Sequence, residues 1–192
     1  MLPVAAMTLV VAASNVLLQH PVRAAGLEDK LTWGAFTYPI AFLVTDLTNR
    51  RFGPVAARRV VYAGFALAVA LSIWLATPRI ALASGAAFLV GQLLDVSVFA
   101  RLRRLAWWRA PLAAGLLGSA VDTALFFTLA FAGDAAMSAP VSFAGTGVTT
   151  PLWVSLAAFD FLVKAIGAAA LLAPYAALMT SVRPFETVAP VR

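Results

Sequence analysis

The sequence predicts an all-α integral membrane protein, a bundle of six transmembrane helices that forms a single transmembrane domain over residues 1–192. The first observation is composition, because 62% of the 192 residues are hydrophobic and 11% are charged, whereas soluble proteins have roughly 25% charged residues. The second observation is distribution. The charged residues gather in short clusters between long apolar runs, while the helices of a soluble protein carry polar residues at regular intervals. Such a chain has too little polar surface to fold in water.

Six runs are long enough to cross a bilayer, which takes about 20 mostly apolar residues for a hydrocarbon core of about 30 Å. The expected spans are residues 2–19, 31–47, 55–76, 80–100, 111–133 and 151–182. The first run ends in polar residues without a cleavage site between small residues, so we expect a retained helix and not a signal peptide.

The basic residues predict the orientation of the bundle, because loops rich in Lys and Arg stay in the cytoplasm. One side of the predicted bundle has Arg50, Arg51, Arg58, Arg59, Arg101, Arg103, Arg104, Arg109, Arg183 and Arg192. The other side has Arg23, Lys30 and Arg79. Both termini are therefore predicted to be cytoplasmic. These residues and their contacts with lipid headgroups account for the net charge of +6, and we expect no nucleic-acid partner.

Ionisable and amide side chains inside the spans are the candidate functional residues. Each charge near the bilayer centre costs on the order of 3 kcal/mol, so such a residue is expected to face a partner or a cavity. Counting along the helices puts Gln92, Asp122, Asp160 and Lys164 at one depth, in the middle third of the membrane. Asp95 lies on the same helix face as Gln92. The shared depth predicts an internal polar pocket.

A purely structural interpretation of the same residues stays open. Asp160 and Lys164 are four residues apart and can form an ion pair within one helix. Buried Asp and Gln side chains can also hydrogen-bond between helices and hold the bundle together. On this interpretation the protein is a membrane protein without a transport function.

Several classes of site are disfavoured by what the sequence lacks. The chain has no cysteine, which excludes disulfides, thiolate metal sites and a catalytic cysteine. It has no H-E-x-x-H or G-x-S-x-G motif, so we expect no enzymatic activity, no metal and no cofactor. The segment 134–150 has no basic residue and is expected to be an outward loop that acts as a lid.

Several short segments together resemble one family of membrane proteins. They are residues 14–15 (SN), 32–39 (TWGAFTYP), 45–48 (TDLT), 91–96 (GQLLDV), 107–108 (WW) and 122–123 (DT), with Phe99, Phe126, Asp160 and Lys164. These positions extend over nearly the whole chain, and the stretch from Thr32 to Thr48 is the most specific. On these residues the sequence resembles the queuosine precursor transporters, also called vitamin uptake transporters.

The resemblance implies uptake of a 7-deazaguanine, the precursor base of queuosine, across the inner membrane of a bacterium. The expected substrate is 7-cyano-7-deazaguanine, with 7-aminomethyl-7-deazaguanine and queuine as further candidates. A deazaguanine presents a ring N–H beside an exocyclic amine, and one carboxylate accepts both through charge-assisted hydrogen bonds. Asp122 or Asp160 would supply that carboxylate. The expected substrate-binding residues are Asn15, Tyr38, Gln92, Asp95, Asp122, Phe126, Asp160 and Lys164.

The other expected site residues have simpler roles. The amides of Asn15 and Gln92 would bond the remaining edge of the base. An aromatic ring such as Tyr38 or Phe126 would stack on it, worth roughly 1–3 kcal/mol per base, and Lys164 would bond a carbonyl oxygen. The expected partners are thus a small nucleobase and the lipid bilayer.

Two points of assembly stay open at this level. The chain is similar in size and span count to the vitamin-binding S-components, so it would alternatively be the substrate-capturing membrane subunit of an ATP-driven transporter. The sequence also leaves a homo-oligomer open.

Overall fold

The computed structural model describes residues 1–17, 20, 22, 32–182 and 184–185, apart from the side chain of Ala144. Within these residues the chain forms six α-helices and one short antiparallel sheet. The helices are α1 (Leu2–Leu17), α2 (Gly34–Leu75), α3 (Pro78–Leu102), α4 (Arg109–Phe131), α5 (Leu152–Ala170) and α6 (Leu172–Met179). The sheet pairs β1 (Pro140–Ser142) with β2 (Thr149–Pro151) in the connection from α4 to α5.

The helices confirm the prediction of an all-α protein with several membrane-spanning segments. Among the described residues, four helical stretches are long and apolar enough to cross a membrane: Gly34–Leu75, Pro78–Leu102, Arg109–Phe131 and Leu152–Met179. The apolar helix α1 is shorter, and the last two residues predicted for its span, 18–19, lie outside the described residues. The count of six crossings stays a prediction.

Helix α2 corrects one predicted boundary. Residues 48–54 were expected to form a loop between two spans, but the chain is helical on both sides of a single break at Gly53. There φ is +81°, a conformation that glycine adopts without steric cost. Pro54 follows, and a proline is tolerated at the first position of a helix because its missing N–H is not needed there. Arg50, Arg51, Arg58 and Arg59 therefore lie on helix and not in a loop.

The turn between α2 and α3 is short because the start of α3 is capped locally. The hydroxyl of Thr77 accepts a hydrogen bond from the backbone N–H of Ile80, and Pro78 occupies the first turn. Arg79 donates to the backbone carbonyls of Leu129 (2.9 Å) and Ala132 (2.6 Å) at the end of α4. The beginning of α3 and the end of α4 are thus tied together at one end of the bundle.

Helices α3 and α4 approach each other closely at two glycines. A Cβ on Gly118 would lie 3.0 Å from the Gly91 carbonyl oxygen, and a Cβ on Gly91 would lie 3.0 Å from the Gly118 carbonyl oxygen. Small residues at helix crossings are the usual way for membrane helices to pack, since lipid supplies no hydrophobic force between them. Close contact here aligns Gln92 and Asp95 of α3 with Asp122 of α4.

Helix α5 packs on the bundle through few residues. Its buried residues are Ser155 and Lys164, while Leu162 and Ile166 are more than half exposed. Gly167 lets α5 approach α2, because a Cβ there would lie 2.8 Å from Pro39 Cγ. The predicted last span, 151–182, is observed as two helices, with α6 beginning two residues before Pro174.

Candidate functional site

A buried ion-pair cluster joins α4 to α5. The ammonium nitrogen of Lys164 lies 2.7 Å from Asp122 Oδ2 and 2.6 Å from Asp160 Oδ2. The contact with Asp160 is the predicted pair four residues apart on one helix. The contact with Asp122 crosses between helices. Lys164 is therefore shared by two carboxylates, and a cluster with both carboxylates ionised has a formal charge of −1.

Two hydroxyl groups complete the hydrogen bonds of this cluster. The phenol of Tyr38, on α2, donates to Asp122 Oδ1 at 2.9 Å, and the hydroxyl of Thr123 donates to Asp160 Oδ2 at 2.7 Å. The Lys164 ammonium also lies 4.8 Å from the centre of the Tyr38 ring, within the range of a cation–π interaction. Three helices thus contribute to one charged site. A charged side chain inside a bilayer needs such partners, because an isolated charge there is costly.

The burial of the cluster is uneven. The side chains of Lys164 and Asp122 are 6% and 4% exposed, whereas that of Asp160 is 17% exposed. Asp122 has hydrogen bonds to both of its oxygens. Asp160 contacts the Thr123 hydroxyl and the Lys164 ammonium through the same oxygen, Oδ2. Asp160 is therefore the carboxylate of the cluster with the most freedom to bind a further donor.

Gln92 and Asp95 lie in a neighbouring polar region between α2, α3 and α4. Both are fully buried. The Thr45 hydroxyl donates to Gln92 Oε1 at 2.5 Å. Gln92 Nε2 and both oxygens of Asp95 have no hydrogen-bond partner among the residues that the structure describes. The region adjoins the ion-pair cluster, because a Cβ on Gly91, next to Gln92, would lie 2.9 Å from the Asp122 Cβ.

Asn15 lies on α1 and makes no described hydrogen bond to the residues of the ion-pair cluster. Its amide nitrogen donates to the carbonyl of Val11, and its oxygen accepts from Ser72 at 3.4 Å. It lines a cavity together with Tyr38 and Ser14. Asn15 and the ion-pair cluster are therefore connected through Tyr38.

Among the residues that the structure describes, the ring contacts of Phe126 are with other phenylalanines and not with the polar site residues. It packs against Phe127 and Phe131 on its own helix, with ring centres 5.2 and 5.9 Å apart. A different aromatic pair adjoins the cluster: Phe143, from the loop between β1 and β2, stacks on Phe159 with ring centres 6.2 Å apart. Phe159 directly precedes Asp160 in α5.

Several polar residues that accompany the expected site were not predicted as part of it. They are Thr45, Asp46, Asn49, Ser119 and Thr123, each buried. The sequence contained one usable signal, because Thr45, Asp46 and Asn49 precede the Gly53 break on α2 by one to two turns. Thr45 and Asp46 were placed in the same predicted span as Tyr38, and only Asn49 fell in the predicted loop, which α2 replaces with helix.

The cavities near these residues are small. One is lined by Asn15, Tyr38 and Phe88, among others, and another by Phe42, Asp46, Ser119 and Tyr175, among others; each has a volume of about 20 Å³. That is room for about one water molecule, far below the roughly 300 Å³ of a typical ligand pocket. Binding of a heterocycle here would require the helices to move apart.

Comparison with known proteins decides the family. The sequence profile of the family described as "Putative vitamin uptake transporter" matches residues 32–77 and 71–179. The chain belongs to this family. The match includes α2 to α5, and therefore Tyr38, Asp122, Asp160 and Lys164, which form the ion-pair cluster.

Individual relatives of the chain are named as transporters, and transporters are not enzymes. The "Queuosine precursor transporter" of Escherichia coli (strain K12) is 42% identical over 144 residues, which cover 64% of this chain and 64% of the relative. The "Probable queuosine precursor transporter" of Haemophilus influenzae (strain ATCC 51907 / DSM 11121 / KW20 / Rd) is 38% identical over 153 residues, with 64% and 65% covered. The protein of the same name from Bacillus subtilis (strain 168) is 29% identical over 149 residues.

The matched region is a little under two thirds of the length of these curated relatives. No solved structure matches the chain. The resemblance to the queuosine precursor transporters is thus confirmed at the level of the family, and the similarity to S-components stays a prediction.

Proposed function

We propose that this protein takes up queuosine precursors across the bacterial inner membrane, with 7-cyano-7-deazaguanine as the principal substrate. Membership of the family and the names of the relatives support a transporter of this class. The observation that carries the proposal is the ion pair of Asp160 and Lys164, in which a carboxylate acceptor lies 2.6 Å from an ammonium donor.

The chemistry of that pair matches the edge of a deazaguanine. The base presents a carbonyl oxygen, a ring N–H and an exocyclic amine side by side. Asp160 accepts from the two nitrogens, while Lys164 donates to the carbonyl oxygen. Hydrogen bonds to charged groups contribute about 1.5–3 kcal/mol each, and they are strongest where water is excluded.

Asp122 and Tyr38 have a supporting role in this proposal. With one oxygen bound to Lys164 and the other to the Tyr38 hydroxyl, Asp122 keeps the ammonium in place when Asp160 turns toward the substrate. The 2.7 Å contact between Asp122 and Lys164 also lowers the cost of a charge at this depth. Asn15 and Gln92 then serve as amide partners once the helices have separated.

The hairpin formed by β1 and β2 contacts α5 beside Asp160. Phe143 at its tip stacks on Phe159 beside Asp160, so opening of the hairpin would uncover the ring of Phe159 as a stacking face for the base. Stacking of this kind contributes roughly 1–3 kcal/mol per base.

The proposed topology has six crossings and cytoplasmic termini. A straight helix of 42 residues would be about 63 Å long at about 1.5 Å per residue, twice the hydrocarbon thickness of about 30 Å. The break at Gly53 divides α2 into two halves, each long enough for one crossing. The arginines on either side of Gly53 then lie at the cytoplasmic surface.

Uptake by the purified protein tests the proposal. The full chain in proteoliposomes is expected to accumulate labelled 7-cyano-7-deazaguanine, with competition from 7-aminomethyl-7-deazaguanine and little from adenine. Asp160→Asn is expected to abolish uptake, and Asp134→Asn, which removes an equal charge from the loop, is the matched control. Substrate binding without uptake, together with a stable complex with an ATPase, would instead assign the chain to an ATP-driven transporter. The absence of both substrate binding and uptake would overturn the proposal.

A further inference from the structure

A second group of buried oxygens lies one helical turn from the ion-pair cluster, between α2, α3 and α4. It consists of Asp46 and Asn49 on α2, Asp95 on α3 and Ser119 on α4. All four side chains are at least 97% buried. We call this group the oxygen cluster.

Contacts between the elements bring these residues together. Asp46 and Ser119 line one cavity of about 20 Å³. Asp95 adjoins Ser119, because a Cβ on the preceding Gly118 would lie 3.3 Å from the Asp95 Cβ. Asn49 donates to the carbonyl of Val96, next to Asp95, at 2.9 Å. Asn49 follows Asp46 by three residues on α2, so the two lie on the same helix face.

The oxygen cluster differs from the ion-pair cluster because most of its side-chain oxygens have no hydrogen-bond partner among the described residues. Within the part of the chain that the structure describes, five atoms of the cluster are buried without a hydrogen bond: Asp46 Oδ1, Asn49 Oδ1, Asp95 Oδ1, Asp95 Oδ2 and Ser119 Oγ. The ion pairs found among the described residues are those of Lys164. An unpaired buried carboxylate costs several kcal/mol, of the order of 3–5. Arg50, one turn after Asp46 on α2, forms no ion pair with it among the described residues, and its Nε is buried without a hydrogen bond. The two carboxyl groups therefore need either protons or a bound cation.

We propose that the oxygen cluster binds a sodium ion, and that this ion is coupled to uptake. Hard cations take oxygen ligands, and the cluster offers carboxylate, amide and hydroxyl oxygens from three helices. A single shared proton would join at most two carboxylate oxygens, whereas a cation is bound by oxygens of all four residues. Protonation of both carboxyl groups is the alternative, and the comparison of sodium with potassium and choline below distinguishes the two. A magnesium ion would keep several of its waters, for which a cavity of about 20 Å³ has no room. The site has two acidic residues, and its other ligands are an amide and a hydroxyl. The described residues contain no group of three or more His, Cys, Asp or Glu side chains that could hold a metal ion.

The position of the site provides the coupling. Gly91 and Gly118 lie between the oxygen cluster and Asp122, and Asp122 follows Gly118 by one turn of α4. An ion that draws α2, α3 and α4 together at Asp95 therefore determines how closely those helices pack beside Lys164. In transporters, coupling ions and substrate are commonly held side by side near the midplane. The coupling rests on the proposed transport function, whereas sodium binding does not.

Thermal unfolding of the purified full chain in detergent tests sodium binding directly. Sodium chloride is expected to raise the melting temperature in a saturable manner relative to equal concentrations of potassium or choline chloride, because a ligand that binds the native state stabilises it. Asp95→Asn and Asp46→Asn are expected to lose this response. Ser119→Ala keeps both charges and is expected to need several-fold more sodium for half of the effect. Asp134→Asn, in the loop, is expected to respond like the wild type.

Equal melting temperatures in sodium and potassium for the wild type would overturn the proposal, as would an undiminished sodium response in Asp95→Asn. Coupling is tested in proteoliposomes, where an inward sodium gradient is expected to drive uptake. Uptake driven by a pH gradient alone in sodium-free buffer would overturn it. Sodium binding without deazaguanine uptake would refute the proposed function and leave the ion site intact.

Discussion

Lys164 Nζ on α5 lies 2.7 Å from Asp122 Oδ2 on α4, although the two residues are 42 positions apart in the chain. The same nitrogen also contacts Asp160 on its own helix. The Lys164 ammonium therefore forms one ion pair within α5 and a second one between α5 and α4. Because α5 has few other buried residues, this tie is a main attachment of α5 to the bundle.

The first prediction concerns the stability of the ion-pair cluster. Lys164→Met leaves two carboxylates without a cation, and we expect the protein to lose on the order of 3–5 kcal/mol. Adding Asp160→Asn should restore only part of the loss, because Asp122 stays unpaired. The triple variant that also has Asp122→Asn should recover most of it. Thermal unfolding in detergent measures the series, and a double variant as stable as the triple would show that the contact with Asp122 contributes nothing.

The second prediction concerns substrate affinity. Asp160→Asn replaces a carboxylate that accepts two N–H groups with an amide that cannot, and we expect a loss of about 1.5–3 kcal/mol or more, roughly a 10- to 150-fold rise in the dissociation constant. Tyr38→Phe keeps the ring and removes one bond to Asp122, so it should weaken binding by no more than about tenfold. Calorimetry with 7-cyano-7-deazaguanine provides the constants. Wild-type affinity in Asp160→Asn would remove that residue from the site.

The third prediction concerns the crossing of α3 and α4. Gly118→Ala places a Cβ 2.8 Å from Phe42 Cε1 and 3.0 Å from the Gly91 carbonyl oxygen, and overpacking of this kind typically costs about 1–3 kcal/mol. Gly115→Ala, one turn earlier, meets only the Cβ of Ala168 at 3.4 Å, an ordinary contact. The first variant should unfold at a lower temperature than the second. Equal melting temperatures would mean that the helices separate here at little cost.

The fourth prediction concerns topology. Because the chain has no cysteine, single cysteines can be labelled without background. Thr146→Cys, in the outward loop, should react with a membrane-impermeant maleimide in intact spheroplasts. Ala106→Cys, in the connection from α3 to α4, should react only after the membrane is permeabilised. Labelling of both positions, or of the second alone, in intact spheroplasts would contradict cytoplasmic termini with six crossings.

Much of the charged cluster could be predicted from the sequence because its cause is local. Asp160 and Lys164 are four residues apart, and helix geometry places such residues on one face. Asp122 could be matched to them because a charge in the membrane interior needs a partner at its own depth. The free-energy cost of an isolated charge thus made it possible to group Asp122 with Lys164, although the two are 42 residues apart in the chain.

The oxygen cluster could not be predicted in the same way. Asp46 was placed at the end of a predicted span and Asn49 just beyond it, because the basic residues after them indicate a membrane surface. Whether they face lipid, water or α3 depends on the rotation of α2 about its axis. That rotation is determined by packing at Gly91, Gly118 and Pro39, which no single segment contains.

Hydropathy and charge along the chain were enough to predict a membrane protein, the positions of its apolar segments, and the side chains that need partners inside the bilayer. Each of these follows from the free energy of transferring residues from water to lipid, which depends on composition and order along the chain. The tertiary structure was needed to show that Lys164 contacts both Asp122 and Asp160, that the ring of Phe126 packs against Phe127 and Phe131, and that α2 continues through a break at Gly53. These depend on distances between helices, and in a membrane such distances are determined by the close packing of small residues and not by hydropathy.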